Sequence, residues 1–233
     1  MRNPGNDLLS LLANATDPET NKSMNETDVR NNVMTFIMAG HETTAVALIW
    51  TFYLLSLYPE VEQQVNREIA GATGGHPLSA AHLDALPYTI QVIQEAMRLY
   101  PPVPLIVRTP RQDMRLESAE IRAGTALFVP IYAVHRHEAY WSKPDEFEPS
   151  RFEPQTAKAR DRYIYLPFGA GARICLGQPF ALWEATAILA TLLNSVRLRL
   201  RPDYIPEPRP RITLRPARGM PMRITTRSRP EII

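Results

Sequence analysis

Pro167-Phe168-Gly169-Ala170-Gly171-Ala172-Arg173-Ile174-Cys175-Leu176-Gly177-Gln178 holds the one cysteine of a 233-residue chain, with glycines, an arginine and an aromatic at set offsets from the sulfur. A single cysteine makes no intramolecular disulfide. A functional thiol here is therefore a nucleophile, a redox sensor or a metal ligand, and in each role it acts as the thiolate, which needs positive charge and N–H donors nearby. Arg173 stands two residues upstream, and Gly169, Gly171 and Gly177 let the backbone turn its amides toward the sulfur. Pro179 then opens an apolar helix whose N-terminal dipole favours an anion. Without such surroundings a lone cysteine is most often a small buried core residue.

The pattern Phe-x-x-Gly-x-Arg-x-Cys-x-Gly fixes five positions in ten, and a chance match in a chain of this length is on the order of one in ten thousand. It resembles the haem-ligand loop of the cytochrome P-450 haem-thiolate monooxygenases. Three further segments resemble the same family, in the family's order. Ala39-Gly40-His41-Glu42-Thr43-Thr44 is similar to its distal helix, Gln94-Glu95-Ala96-Met97-Arg98 to its Glu-x-x-Arg helix, and Phe147-Glu148-Pro149-Ser150-Arg151-Phe152 to its Pro-x-Arg-Phe segment.

The resemblance implies a fold, a cofactor and roles. The fold expected is α+β and predominantly α-helical, the C-terminal portion of the cytochrome P-450 fold: long distal helix, Glu-x-x-Arg helix, small β-sheets, cysteine loop and a following helix. Residues 1–233 are expected to form a single partial haem-thiolate domain, with the family's N-terminal half absent or supplied by another chain. The cofactor implied is haem b, iron protoporphyrin IX, with Cys175 as its iron ligand. Phe168 is then a ring on the sulfur side, Arg173 and Arg108 propionate partners, and Gly177 part of the ligand loop. Ala39 and Gly40 are small residues facing the macrocycle, Thr43 a hydroxyl that orders distal water and Glu42 an acid that relays protons. The electrons come from a ferredoxin or flavin reductase, because no flavin or iron–sulfur motif occurs in the chain. Phe36, Ala39, Val103 to Val107 and Met220-Pro221 match substrate-contact segments; all are apolar, so the substrate expected is an apolar small molecule. Other readings are a haem-thiolate isomerase or dehydratase, which the Glu42-Thr43 pair disfavours, and a non-enzymatic remnant.

Several residues carry an argument of their own. Gly40 in mid-helix costs about 1 kcal/mol against alanine, which suggests a close approach or a local distortion. Thr43 has the alternative of bonding back to the preceding helical turn. Glu95 and Arg98, at i and i+3, share a helix face. An exposed pair of that kind is worth little. Their helix is apolar through Ile90, Val92, Ile93, Met97 and Leu99, so a buried triad with Arg151 is expected, pinning the segment before the cysteine loop. His135 is expected to be a structural hydrogen-bonding residue; with His137 alone it makes no zinc site.

Composition and patterning bound the rest. The net charge is +2 with 45% hydrophobic residues, enough for a packed core and, with no basic run interleaved with aromatics, against nucleic acid as partner. No signal peptide is expected at the start of the chain. The apolar stretch from Val33 to Tyr58 is interrupted by His41 and Glu42, which favours a core helix over a membrane span. A cytoplasmic location is expected, with a membrane anchor in a preceding segment left open. Ser23 and Glu26 predict a capping box before a helix to about Tyr58; further helices are predicted from Pro59, over Tyr88 to Tyr100, and over Phe180 to Val196. Strands are predicted near 105–108, 114–116, 126–129, 197–200 and 222–226, with an irregular segment from Lys143 to Arg162. Ten arginines between Arg197 and Arg229 face only three acids. They predict either charged edge strands or a surface for an acidic partner.

Overall fold

The computed structural model describes Gly5 and residues 7–227. It divides into two compact units, Met1–Glu42 and Thr43–Ile233. The described part is helical for about half its length and carries eight short strands in four antiparallel pairs, the expected α+β class.

The first unit contains α1 (Leu8–Asn14) and the opening half of α2 (Glu26–Leu57). Asp7 caps α1 by accepting the Ser10 N–H at 2.9 Å. The expected Ser23 cap on α2 is corrected: Asn25 is the side chain that accepts, from the Asp28 N–H at 2.9 Å. Ser23 instead lies opposite Thr16 in an isolated bridge, their hydroxyls 3.4 Å apart. An asparagine one residue before the first helical position is as good a cap as serine, so local spacing alone left the choice open. Met34, Ile37 and Met38 are exposed on this part of α2.

In the second unit the rest of α2 meets α3 (Pro59–Thr73), α4 (Pro87–Leu99) and α7 (Gln178–Ser195) around one apolar core. The buried positions repeat every three or four residues: Val61, Val65 and Ile69 on α3, Val92, Ile93 and Ala96 on α4, Leu189 and Leu193 on α7. Each fully buried large apolar side chain contributes about 1.5–3 kcal/mol. Prolines open α3, α4 and α7, and Gly74 ends α3 with φ of 56°. Glu68 of α3 accepts the Tyr88 and Thr89 N–H groups at 2.7 and 2.8 Å, satisfying the open amides of α4. Among the described residues only α2 is long and apolar enough to cross a membrane. Its second half supplies Trp50, Leu54 and Leu55 to the core, so its length and composition do not by themselves make it a span.

The strands pair as β1 (Ile106–Arg108) with β4 (Leu127–Val129), β2 (Met114–Leu116) with β3 (Ala119–Ile121), β5 (Val196–Leu200) with β8 (Met222–Thr226), and β6 (Pro208–Pro210) with β7 (Leu214–Pro216). β3, β6 and β7 were not expected. They are three residues long and polar or proline-rich, and pairing rather than pattern makes them strands. The segment from Lys143 to Arg162, expected to be irregular, carries a 3-10 turn at Pro149–Phe152 and a short α6 at Pro154–Ala159. Prolines at the starts of both suit an N1 position, a signal read only as irregularity. α5 (Ile131–Val134) is a single turn ending at His135.

The arginine-rich end has a more particular arrangement than charged edges. Glu62 of α3 is buried and pairs with both Arg199 and Arg227, so two of the ten arginines tie β5 and the end of β8 to the helical core. The Trp50 indole N–H donates to the Leu214 carbonyl at 2.7 Å, and its ring stacks on Tyr100 at 4.1 Å. β7 is thereby fastened to the same core.

Candidate active site

The cysteine loop leaves the core at Leu166 and returns to it in α7. Gly169 and Gly171 both have φ of 73°, where a side chain would strain the backbone. A Cβ at Gly169 would also stand 3.5 Å from Ile106 Cδ1, so the loop backbone lies against β1. That contact brings the strand carrying Arg108 beside the loop. The loop closes through the Cys175 N–H, which donates to the Phe168 carbonyl at 3.0 Å. A Cβ at Gly177 would stand 3.9 Å from Cys175 Sγ. Cys175 is exposed, as are Arg173 in the 3-10 turn Gly171–Arg173 and Arg108; Phe168 is half-buried.

The residues flanking the thiol in sequence are largely apolar and exposed: Ile174, Leu176 (by 82%) and Phe180; Val107 and Phe128, paired across β1 and β4, are exposed as well. A soft thiol with apolar sequence neighbours, and guanidinium groups on the same loop and the neighbouring strand, would fit an iron porphyrin: a thiolate for the iron, an apolar ring and two anionic propionates. Among the described residues no group of three or more histidines, cysteines or acids is placed to hold a metal ion.

Glu95, Arg98 and Arg151 are brought together. Glu95 and Arg98 have no exposed surface, and their ion pair is bidentate: Arg98 Nε to Glu95 Oε2 at 2.7 Å and Nη2 to Oε1 at 2.8 Å. Arg98 Nη1 donates to the carbonyls of His135 and Pro144 at 2.9 and 2.6 Å, and Nη2 to that of Glu146 at 2.9 Å. All five guanidinium donors are thus used, which is what permits a fully buried arginine. Arg151 Nε lies 3.4 Å from Glu95 Oε1, and its Nη2 reaches Glu148 Oε2 at 3.1 Å. Glu95 Oε1 also accepts the Glu148 N–H at 3.0 Å. Burial raises the Glu95 pKa, while the Arg98 hydrogen bond and charge pull it down.

The same packing holds residues that sequence reasoning did not single out. Arg160 lies 4.6 and 4.5 Å from the ring centres of Trp141 and Phe152 and donates to the Arg151 carbonyl. Tyr165, half-buried, donates its hydroxyl to the Gln94 carbonyl at 2.9 Å, and desolvation raises its pKa. The only sequence signal for either is an excess of aromatics and arginines between 132 and 165, which does not say which pairs meet. His135 is buried among them, and desolvation lowers its pKa to about 3.

The distal motif lies on α2. Ala39, Gly40 and Glu42 belong to the first unit and Thr43 opens the second. Ala39 and Gly40 are exposed, Glu42 and Thr43 half-buried. A Cβ at Gly40 would meet nothing within 4 Å, so no close approach within the described chain requires glycine there. Thr44, next in sequence, is buried with a hydroxyl that has no hydrogen-bond partner among the described residues.

A family model described as Cytochrome P450 matches residues 2–221. Cytochrome P450 4V2 of Pongo abelii is 41% identical over 189 residues, covering 80% of this chain and 36% of its own length. Taurochenodeoxycholic 6 alpha-hydroxylase of Sus scrofa is 38% identical over 216 residues, with 92% and 42% covered. Among solved structures, the cytochrome P450DA heme domain superposes with a TM-score of 0.89 at 35% identity, over 95% of this chain and 50% of that one. The chain spans half the length or less of these relatives.

Proposed function

Because the chain belongs to the cytochrome P450 family, we propose that residues 1–233 are part of one haem-binding monooxygenase domain and that Cys175 would hold the iron of haem b through its thiolate. The observation that carries this reading is the loop itself: the only thiol of the chain, exposed beside Gly177, on a backbone whose positive-φ glycines seat it against β1. Bound haem would supply the redox centre for inserting one oxygen atom from dioxygen into an apolar substrate, with electrons from a ferredoxin or flavin reductase.

The chain's own residues have separable tasks. Cys175 presents Sγ, with Phe168 and Gly177 keeping the sulfur side apolar and uncrowded. Arg108 and Arg173 hold the propionates as charge-assisted donors. Ala39 and Gly40 leave room for a flat ring on α2. The Thr43 hydroxyl orders a water, and Glu42 moves protons toward it. Glu95, Arg98 and Arg151 touch no reactant and fix the segment that leads to Cys175. The lack of disulfide-forming cysteines suits a reducing cytoplasm.

The test is to reconstitute the chain with haem, reduce it and add carbon monoxide. A thiolate-type band that disappears in Cys175→Ser is expected. A band that survives that substitution, with no other cysteine to supply the sulfur, would sink the assignment.

A further inference from the structure

The segment entering the cysteine loop is tied to α4 by two side chains outside the Glu95–Arg98–Arg151 network, and one of them uses both ring nitrogens. His135 Nε2 accepts the Leu166 backbone N–H at 2.8 Å. An amide N–H only donates, so Nε2 carries no proton. The ring proton is therefore on Nδ1, 3.2 Å from the Arg98 carbonyl oxygen, to which it donates. Arg98 reciprocates through Nη1, which donates to the His135 carbonyl at 2.9 Å.

Beyond Leu166 the contacts run on toward the sulfur. The Leu166 carbonyl accepts the Gly169 N–H at 3.0 Å, and the Phe168 carbonyl accepts the Cys175 N–H at 3.0 Å. Tyr165 supports the imidazole face, with ring centres 5.2 Å apart and planes 27° apart, while its hydroxyl reaches Gln94 on α4.

We infer that His135 is a positioning residue for Cys175: a neutral imidazole, protonated on Nδ1 only, that carries the placement of buried Arg98 to the start of the cysteine loop. The inference rests on the ligand reading of Cys175 only for its consequence at haem; the bridge from Arg98 to Leu166 stands without it. A second ring proton would set a donor against the Leu166 N–H and a cation beside Arg98 and Arg136. Truncation would leave the Leu166 amide and the Arg98 carbonyl without partners in a site closed to water. Glutamine is the conservative replacement, since its amide oxygen offers an acceptor toward Leu166.

One cysteine makes the test specific, because a thiol reagent reports on Cys175 alone. In the haem-free chain, amide exchange at Leu166 and the pH profile of Cys175 alkylation are measured for the unsubstituted protein, His135→Ala and His135→Gln, with the β5 amides as a control for global opening. His135→Ala is expected to speed exchange at Leu166 by about tenfold and to displace the alkylation profile, with His135→Gln restoring most of both. On adding haem and carbon monoxide, the thiolate-type share of the band should fall in His135→Ala and recover in His135→Gln. Unchanged Leu166 exchange and alkylation in His135→Ala would overturn the inference. So would a His135→Gln variant as altered as His135→Ala while β5 stays protected. If His135→Ala does not fold, His135→Gln decides: behaviour near that of the unsubstituted chain supports the bridge, and loss of Leu166 protection alone overturns it. The haem reading fails by a different result, the absence of any thiolate-type band in the unsubstituted chain.

Discussion

Replacing Glu95 by alanine removes the carboxylate paired with the fully buried Arg98. Arg98 would lose acceptors at Nε and at one Nη2 proton, while keeping the carbonyls of His135, Pro144 and Glu146. The Glu148 N–H would lose its acceptor, and Arg151 its second carboxylate. Breaking a buried pair from one side costs about 3–5 kcal/mol, and the three surviving carbonyls place the cost near the lower figure, about 3 kcal/mol. That is a large share of a domain stability of roughly 5–15 kcal/mol. Because burial already raises the Glu95 pKa, the intact pair carries a desolvation penalty of its own. Removing both partners should therefore cost little more than removing one. Urea denaturation at pH 7, followed by far-UV circular dichroism on Glu95→Ala, Arg98→Ala and the double variant, measures this directly. A coupling of about 2 kcal/mol is expected. Single losses below about 1 kcal/mol that simply add would refute the buried-network account.

Acidification should weaken the fold through His135. Between pH 6.5 and about pH 3 the unfolded chain binds a proton there that the folded chain does not, so stability falls with pH by about 1.4 kcal/mol per pH unit from this residue. Glu95, with its pKa raised, acts in the opposite sense just above its usual value of 4.5; the difference between the unsubstituted chain and His135→Gln in melting temperature from pH 7 to pH 5 isolates the histidine, and equal slopes would contradict its burial as a neutral ring. Arg160→Lys keeps the charge and loses the planar group beside Trp141 and Phe152, for an expected loss of about 1–2 kcal/mol in urea, against none if the stacking is idle. Trp50→Phe should cost about 1–3 kcal/mol by orphaning the Leu214 carbonyl, with faster amide exchange in β7 as its local signature.

Much of the helical framework was legible because its signals are local. Proline at the first turns of α3, α4 and α7, the three-and-four spacing of Val92, Ile93 and Ala96, and the glycines around Cys175 all act within a few residues of themselves. The Glu95–Arg98 pair could be placed on one face by spacing, and the apolar residues around it argued for burial. β3, β6 and β7 were not legible, since three-residue strands rich in charge or proline have no periodicity to read. The capping of α2 by Asn25 rather than Ser23 turned on a choice between two side chains of equal merit two residues apart.

The sequence by itself determined that a single thiol sits in a glycine-rich loop with an arginine two residues before it, and that a helix bearing Glu95 and Arg98 precedes it. Tertiary structure decided which charges are buried and what satisfies them. Glu62 takes Arg199 and Arg227 from the far end of the chain, and Arg160 settles between two rings. The reason is physical. Three of the five bonds that make Arg98 tolerable in the core go to backbone carbonyls of His135, Pro144 and Glu146. Every residue type offers that carbonyl, so no pattern of side chains can announce it, and only the folded path of the chain brings it within reach.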